Sequence, residues 1–170
     1  MKLLTLNCHS WQEDNQIEKI KYLAKIIKEK QYDVIALQEV SQKINSKLLQ
    51  AMIKEGNFAQ LLIEELNKID ESKYNFIWDY SHIGYDIYEE GLAILTKHKI
   101  KDCKSFYVSK SDNKRNYRSR KIVSITVNIE GNDVDFYSCH TGWWNDDIEP
   151  FKYHADMLIE NISDDRLAFV

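Results

Sequence analysis

Asn7 and Glu39 are hard oxygen donors, each delivered by a short apolar run: Leu3-Leu4-Thr5-Leu6 leads to Asn7, and Val34-Ile35-Ala36-Leu37-Gln38 leads to Glu39. Two neighbouring parallel strands with such ends would bring both oxygens to one divalent cation of the Mg²⁺ or Mn²⁺ type, which takes carboxylate and carbonyl ligands. A helix cap for Asn7 and a solvated or salt-bridged Glu39 are the ordinary alternatives. His140 follows Phe136-Tyr137-Ser138-Cys139 and precedes Thr141-Gly142, so it would project from a strand end into a glycine-containing loop. There it could donate a hydrogen bond to a phosphate oxygen; a histidine satisfied within the core is the alternative. Glu90, just ahead of the run Gly91 to Thr96, could accept the other ring proton of His140 and fix its tautomer, or stand as an isolated surface glutamate.

The only cationic concentration lies between Lys110 and Lys121 and contains Arg115, Arg118 and Arg120. A guanidinium fork suits bidentate contact with phosphate, so Arg118 or Arg120, leading into the run from Ile122, could hold an anionic substrate. Most of these cations read equally well as a solvated loop. Trp143 and Trp144, with Trp11 after Asn7, would lie on the same strand-end face, where they could stack a base, line an apolar leaving-group pocket, or simply pack.

The elements that must position these groups alternate along the chain. Lys2 to Leu6 and Asp33 to Leu37 read as strands, the second almost wholly apolar, as in a strand buried on both faces. Between them Ile17, Ile20, Leu23, Ala24 and Ile27 recur at helical spacing up to about Lys30, with Ser10-x-x-Glu13, Asp14 or Asn15 as possible caps. Phe58, Leu61, Leu62, Leu66 and Ile69 mark a second helix, and residues 44–53 are expected to be helical or irregular. Tyr74 to Trp78, Leu92 to Thr96, Ile122 to Ile129 and Val134 to Ser138 read as strands, the last two joined by a hairpin at Glu130-Gly131-Asn132. A helix from about Phe151 to Ile162 and a strand from Arg166 to Val170 close the chain. This mixture favours an α/β sandwich with helices packed on sheets and functional loops at strand ends.

Composition sets the frame. With 170 residues, 44% of them hydrophobic, one globular domain is the expectation. A formal net charge of -4 argues against a global cationic surface of the kind that dominates non-specific nucleic-acid binding. Cys8, Cys103 and Cys139 form no CxxC and are odd in number, which fits a reducing, cytoplasmic setting. No apolar stretch is long enough for a transmembrane segment, and no export signal is read at the start.

Leu4-Thr5-Leu6-Asn7, Ile35-Ala36-Leu37-Gln38-Glu39-Val40, Glu90-Gly91-Leu92-Ala93-Ile94-Leu95, Arg120-Lys121-Ile122-Val123 and Tyr137-Ser138-Cys139-His140-Thr141-Gly142 occur in the order seen in the endonuclease/exonuclease/phosphatase superfamily, which the chain resembles along its whole length. The resemblance implies a DNase I-like sandwich of two mixed β-sheets flanked by helices. It implies that Asn7 and Glu39 help bind a catalytic Mg²⁺, that His140 contacts the scissile phosphate with Glu90 as its partner, and that Arg120, with Arg118 as second choice, holds the phosphate. The chain departs from the family pattern in lacking a later Gly-Asp-Phe-Asn and an Asp-His motif. The expectation is therefore that residues 1–170 are the N-terminal part of a single domain, C-terminally truncated, with the second sheet incomplete. His9, His82, His98 and His154 are not expected to have acidic partners in such a setting.

The resulting expectation is a Mg²⁺-dependent phosphoesterase (Mn²⁺ possible) that hydrolyses a phosphodiester by in-line attack of water. Its phosphoester substrate is left open between nucleic acid, a lipid headgroup and a small diester. The alternative is a catalytically silent binding or interaction module that keeps the fold without the C-terminal motifs.

Overall fold

The apolar run after Met1 forms β1 (Leu3–Asn7), and α1 (Gln16–Lys30) returns the chain to β2 (Val34–Lys43), which lies parallel to β1 with Asn7 opposite Gln38. After a small hairpin of β3 (Leu48–Gln50) and β4 (Ile53–Lys54), α2 (Phe58–Ile69) leads to the antiparallel pair β5 (Asn75–Gly84) and β6 (Tyr88–Thr96). There follow β7 (Ile100–Tyr107), β8 (Lys121–Ile129), β9 (Asn132–Cys139), α3 (Phe151–Asn161) and β10 (Leu167–Phe169). The computed structural model describes residues 1–170.

Two four-stranded sheets result, ordered β1-β2-β6-β5 and β10-β9-β8-β7. Each is mixed: an edge strand, β1 or β10, lies parallel to its neighbour and the remaining pairings are antiparallel. The sheets bury Val34, Leu92 and Ile94 against Val123, Ile125, Val127, Val134 and Phe136. On the outer face of the first sheet, Ile20, Ala24 and Ile27 of α1 and Phe58, Leu62 and Leu66 of α2 pack on Ile35, Leu37 and Leu95. The 3.6-residue spacing of those positions is what turns one stripe of each helix to the sheet. Burying each of the larger aliphatic side chains contributes about 1.5–3 kcal/mol. Leu158 of α3 covers Ile122 and Tyr137 on the second sheet. The layers are therefore helix, sheet, sheet, helix, in agreement with the expected α/β sandwich. No helix is long and apolar enough to cross a membrane.

A polar staple ties the two sheets where the site lies. Ser138 Oγ of β9 donates to the Leu37 carbonyl of β2 at 2.9 Å and accepts from Gln38 Nε2 at 3.2 Å. The residues just beyond, Glu39 and His140, are thereby set side by side.

Several elements differ from expectation. β7 is absent from the sequence reading because it is an edge strand whose Lys101 to Ser105 stretch is exposed and carries no apolar run. Residues 44–53, expected to be helical or irregular, contain β3 and the start of β4. β2 does not stop at Leu37 but continues through a bulge to Lys43, and β5 and β6 extend well past Trp78 and well before Leu92. None of the proposed side chains caps α1: Asn15 occupies the N-cap with φ 55° and makes no side-chain bond, while Ser10 Oγ donates to the Glu39 carbonyl.

Candidate active site

Glu39 is presented by the bulge in β2, not by a strand end. Opposite β6 the pairing jumps from Leu37–Ala93 to Val40–Gly91, so Gln38 and Glu39 together face Leu92 alone. A bulge of this kind leaves one residue out of the ladder and re-aims its side chain. Glu39 takes φ 52°, and its carbonyl is held by the Ser10 amide at 3.2 Å and the Ser10 hydroxyl at 2.6 Å. The same hydroxyl accepts from the Ser41 amide at 2.7 Å, which closes the bulge. From the end of β1, Asn7 Nδ2 donates to Glu39 Oε1 at 2.7 Å, and Asn7 Oδ1 accepts from the His9 amide at 3.0 Å.

His140, one residue past β9, brings Nε2 to 3.9 Å from Glu39 Oε1. Burial pushes its pKa below the usual histidine value, the Arg120 guanidinium pushes the same way, and Glu39 opposes them. Glu90 lies inside β6 and is paired in register with His82 of β5. Its Oε1 is 3.5 Å from His82 Nε2, so the glutamate faces His82 and not His140, the partner expected from sequence. Burial, with Glu39 nearby, pushes the Glu90 carboxyl up. Burial, with Arg120 beside it, pushes His82 down to about 4.

Arg120 immediately precedes β8 and is only 7% exposed. Its Nη1 donates to the Tyr117 carbonyl at 2.5 Å and to the Ser119 carbonyl at 3.2 Å, while Nε has no protein partner. Arg118 is engaged elsewhere: Nε donates to Asp146 Oδ2 at 2.8 Å, which holds that carboxyl down at about 2, and the guanidinium lies 4.6 Å from the Tyr117 ring centre.

These groups line one groove of about 470 Å³, walled by His9, Gln12, Glu39, His82, Glu90, Arg120 and His140 and rimmed by Tyr85, Tyr117 and Trp143. Of the sequence-named residues, the structure brings Glu39, Glu90, Arg120 and His140 to this groove, with Asn7 bonded to Glu39 and Arg118 outside its wall. Trp143 is on the rim, Trp144 stacks on Phe151, and Trp11 packs with its indole N–H donating to the carbonyls of Ser41 and Gly56. His9 and His82 both line the groove and both have the acidic partners not expected for them: His9 Nδ1 lies 2.9 Å from Glu13 Oε1. The partner of His82, Glu90, is across the β5–β6 ladder, eight positions away, and only the extension of both strands beyond their apolar segments reveals the pairing.

The Endonuclease/Exonuclease/phosphatase family profile matches residues 5–169. Among solved structures, an endonuclease/exonuclease/phosphatase family protein from Leptotrichia buccalis C-1013-b is similar at 44% sequence identity and a TM-score of 0.96, over 99% of this chain and 64% of its own. The chain thus spans about two thirds of that relative's length, 64%. An endonuclease/exonuclease/phosphatase from Beutenbergia cavernae DSM 12333 shares the fold at 14% identity and a TM-score of 0.68, over 94% of this chain and 44% of the other. TDP2 from Caenorhabditis elegans shares it at 17% identity and a TM-score of 0.54, over 83% and 35%. No curated protein matches. With a family match that runs from β1 to β10 and takes in every strand that carries the groove, this chain belongs to the Endonuclease/Exonuclease/phosphatase family.

Proposed function

We propose that residues 1–170 are the N-terminal part of a single domain and carry the metal- and phosphate-binding portion of a metal-dependent phosphoesterase, with a phosphodiester as substrate. The observation that carries the reading is the convergence of Glu39, His140 and Arg120 on one groove, with Asn7 hydrogen-bonded to Glu39 at 2.7 Å. The single-domain reading is supported by the 64% of the bacterial relative that this chain spans.

The donor set fits Mg²⁺, and Mn²⁺ as its substitute. Glu39 offers a carboxylate, Asn7 has an amide oxygen whose remaining lone pair could join it beside the bond from the His9 amide, and no cluster of three or more His, Cys, Asp and Glu side chains that could enclose an ion forms in the chain. Mg²⁺ is commonly held by one or two protein oxygens, its remaining positions going to waters and substrate phosphate. When bound there, the ion supplies charge neutralisation at the phosphate and at the leaving oxygen.

The chain's own residues do the rest. Arg120 is a fixed cation in a largely dry setting at the groove wall, where its guanidinium charge faces a phosphate, and its Nε–H is buried without a protein partner. His140 is kept neutral by burial, so one ring N–H can donate to the same phosphate without adding charge. Glu90 and His82 occupy the inner wall as a pair in which burial favours the neutral form of each. Together these donors face the charge that grows on the phosphoryl oxygens during in-line attack by water, where fixed dipoles are most effective. Three free cysteines suit a reducing cytoplasm.

Hydrolysis of bis(4-nitrophenyl) phosphate, a DNA duplex and a sphingomyelin-like diester, with Mg²⁺ and with chelator, tests the reading. Mg²⁺-stimulated turnover that collapses in Glu39→Ala is the expected result; full activity in that variant would falsify the metal assignment. Mg²⁺ and diester binding without turnover favours the second reading, a silent binding module. That reading gains support from Asn7, which turns Nδ2 to Glu39 Oε1 and gives its Oδ1 to the His9 amide.

A further inference from the structure

Two buried ionisable groups, Glu149 and His154, lie outside the groove wall. His154 is on the first turns of α3 and 0% exposed; Glu149, just before that helix, is 3% exposed. The Gly142 amide donates to His154 Nδ1 at 3.1 Å, and because a backbone N–H can only donate, Nδ1 carries no proton. The proton of the neutral ring is therefore on Nε2, which lies 3.3 Å from Glu149 Oε2. The glutamate in turn accepts from the Lys110 amide at 2.9 Å and the Ser111 amide at 3.0 Å.

Each end of this chain of bonds stops next to a groove residue. Gly142 is two residues past His140 on the same loop. A Cβ at Gly142 would stand 3.0 Å from His154 Cε1 and 3.3 Å from the Glu149 carbonyl, so the loop is pressed directly onto the pair. On the other side, Ser109, adjacent to Lys110, accepts from the Arg120 amide at 2.8 Å through Oγ, and the Val108 amide donates to the Arg120 carbonyl at 2.9 Å. Arg120 precedes β8 and His140 follows its ladder neighbour β9, and the Glu149–His154 pair is a fully buried polar connection between their loops, beside the Arg118–Asp146 bond.

We propose that Glu149 and His154 form a latch that fixes the loops of His140 and Arg120 relative to each other, making His154 a positioning residue for the groove; the inference rests on the phosphoesterase reading above. A buried ion pair or polar network left half satisfied is destabilising, so the two loops move together or not at all. A displacement of about 1 Å in a positioned donor lowers turnover by about 10²-fold.

The test uses the full chain, isotope-labelled, as wild type, His154→Leu and His154→Asn. Asparagine places Oδ1 near the position of Nδ1 and keeps an acceptor for the Gly142 amide; leucine does not. His154→Leu is expected to shift the Gly142 amide and His140 ring resonances and to speed Gly142 exchange by about tenfold or more. It should lower kcat by about 10²-fold with KM within about twofold. His154→Asn should restore Gly142 protection but, having no donor at the place of Nε2, should leave Glu149 unpaired and recover kcat only in part. Unchanged Gly142 and His140 resonances in a folded His154→Leu protein overturn the latch, as does His154→Asn behaving like leucine at the Gly142 amide. If His154→Leu does not fold, Glu149→Gln reads the other arm. It turns one amide nitrogen toward a backbone N–H and must shift the Lys110 or Ser111 amide together with the Arg120 guanidinium, or the latch fails. Wild type that neither cleaves nor binds a diester with Mg²⁺ while the resonances shift as expected upholds the latch and overturns the phosphoesterase reading.

Discussion

Asn7 Nδ2 donates to Glu39 Oε1 at 2.7 Å, so the end of a regular parallel strand meets a side chain that only a bulge could have turned toward it. Glu39 adopts φ 52° to do so. A non-glycine residue in that region costs about 1–2 kcal/mol. Glu39→Gly is therefore expected to leave stability in urea unchanged or raise it by about 1 kcal/mol. It should also abolish the rise in melting temperature that Mg²⁺ gives the wild type. A Glu39→Gly protein that still melts higher with Mg²⁺ removes Glu39 from the ligand set.

Gly91 is where β5 crosses β6 most closely. A Cβ there would stand 2.0 Å from the Asp79 carbonyl oxygen and 2.4 Å from Tyr80 Cα, distances that backbone can relieve only by moving. The close approach accompanies the irregularity between Tyr80 and His82 that brings His82 opposite Glu90. Gly91→Ala should lose about 3 kcal/mol in urea denaturation. At Gly84 a Cβ would meet only the mobile end of Glu90 at 3.3 Å, so Gly84→Ala should lose less than about 1 kcal/mol. Equal losses at the two glycines would contradict the crossing geometry.

The strand that delivers Glu39 was readable because it is buried on both faces, whereas β1, an edge strand with Leu3 and Thr5 exposed, was readable only from its short apolar run. The hairpin at Glu130-Gly131 was readable from its turn chemistry, with both residues at positive φ. What escaped were features set by partners distant in sequence. β7 is recognisable only through its ladder to β8, since its own residues are mostly exposed. The β2 bulge depends on how Gly91 faces Val40, and the His82–Glu90 pair on the β5–β6 register. Arg118 and Arg120 are alike as residues, and only the family resemblance ranks Arg120 first. They separate because Asp146 captures the first and β8 buries the second.

His82 makes stability pH-dependent. Burial depresses its pKa from 6.5 to about 4, so the folded protein resists a proton that the unfolded chain accepts. The stabilisation is complete above the unfolded value of 6.5 and is lost as pH falls from there toward 4, by about 3 kcal/mol. Glu90, whose carboxyl is pushed up by burial, works in the opposite direction by taking up a proton more readily when folded. The difference between wild type and His82→Gln isolates the histidine. Urea midpoints from pH 7.5 downward, about half a unit apart, should fall more steeply in the wild type below 6.5. Parallel curves would mean that His82 is protonated as easily in the fold as out of it.

The two arginines give the sharpest comparison within the groove. Arg120 is buried, lines the wall and retains a partnerless Nε, whereas Arg118 already spends its Nε on Asp146. A charge-assisted hydrogen bond contributes about 1.5–3 kcal/mol, so Arg120→Gln should lower kcat/KM for a diester by about 10- to 100-fold. Arg118→Gln removes no groove donor, and its effect on kcat/KM should stay within about threefold. Its cost falls on Asp146, whose carboxyl loses the cation that holds it at about 2 and should titrate at a higher pH, visible in the side-chain carbon resonance. Equal losses of kcat/KM in the two variants would put Arg118 at the phosphate as well, and a larger loss for Arg118→Gln would reverse the assignment.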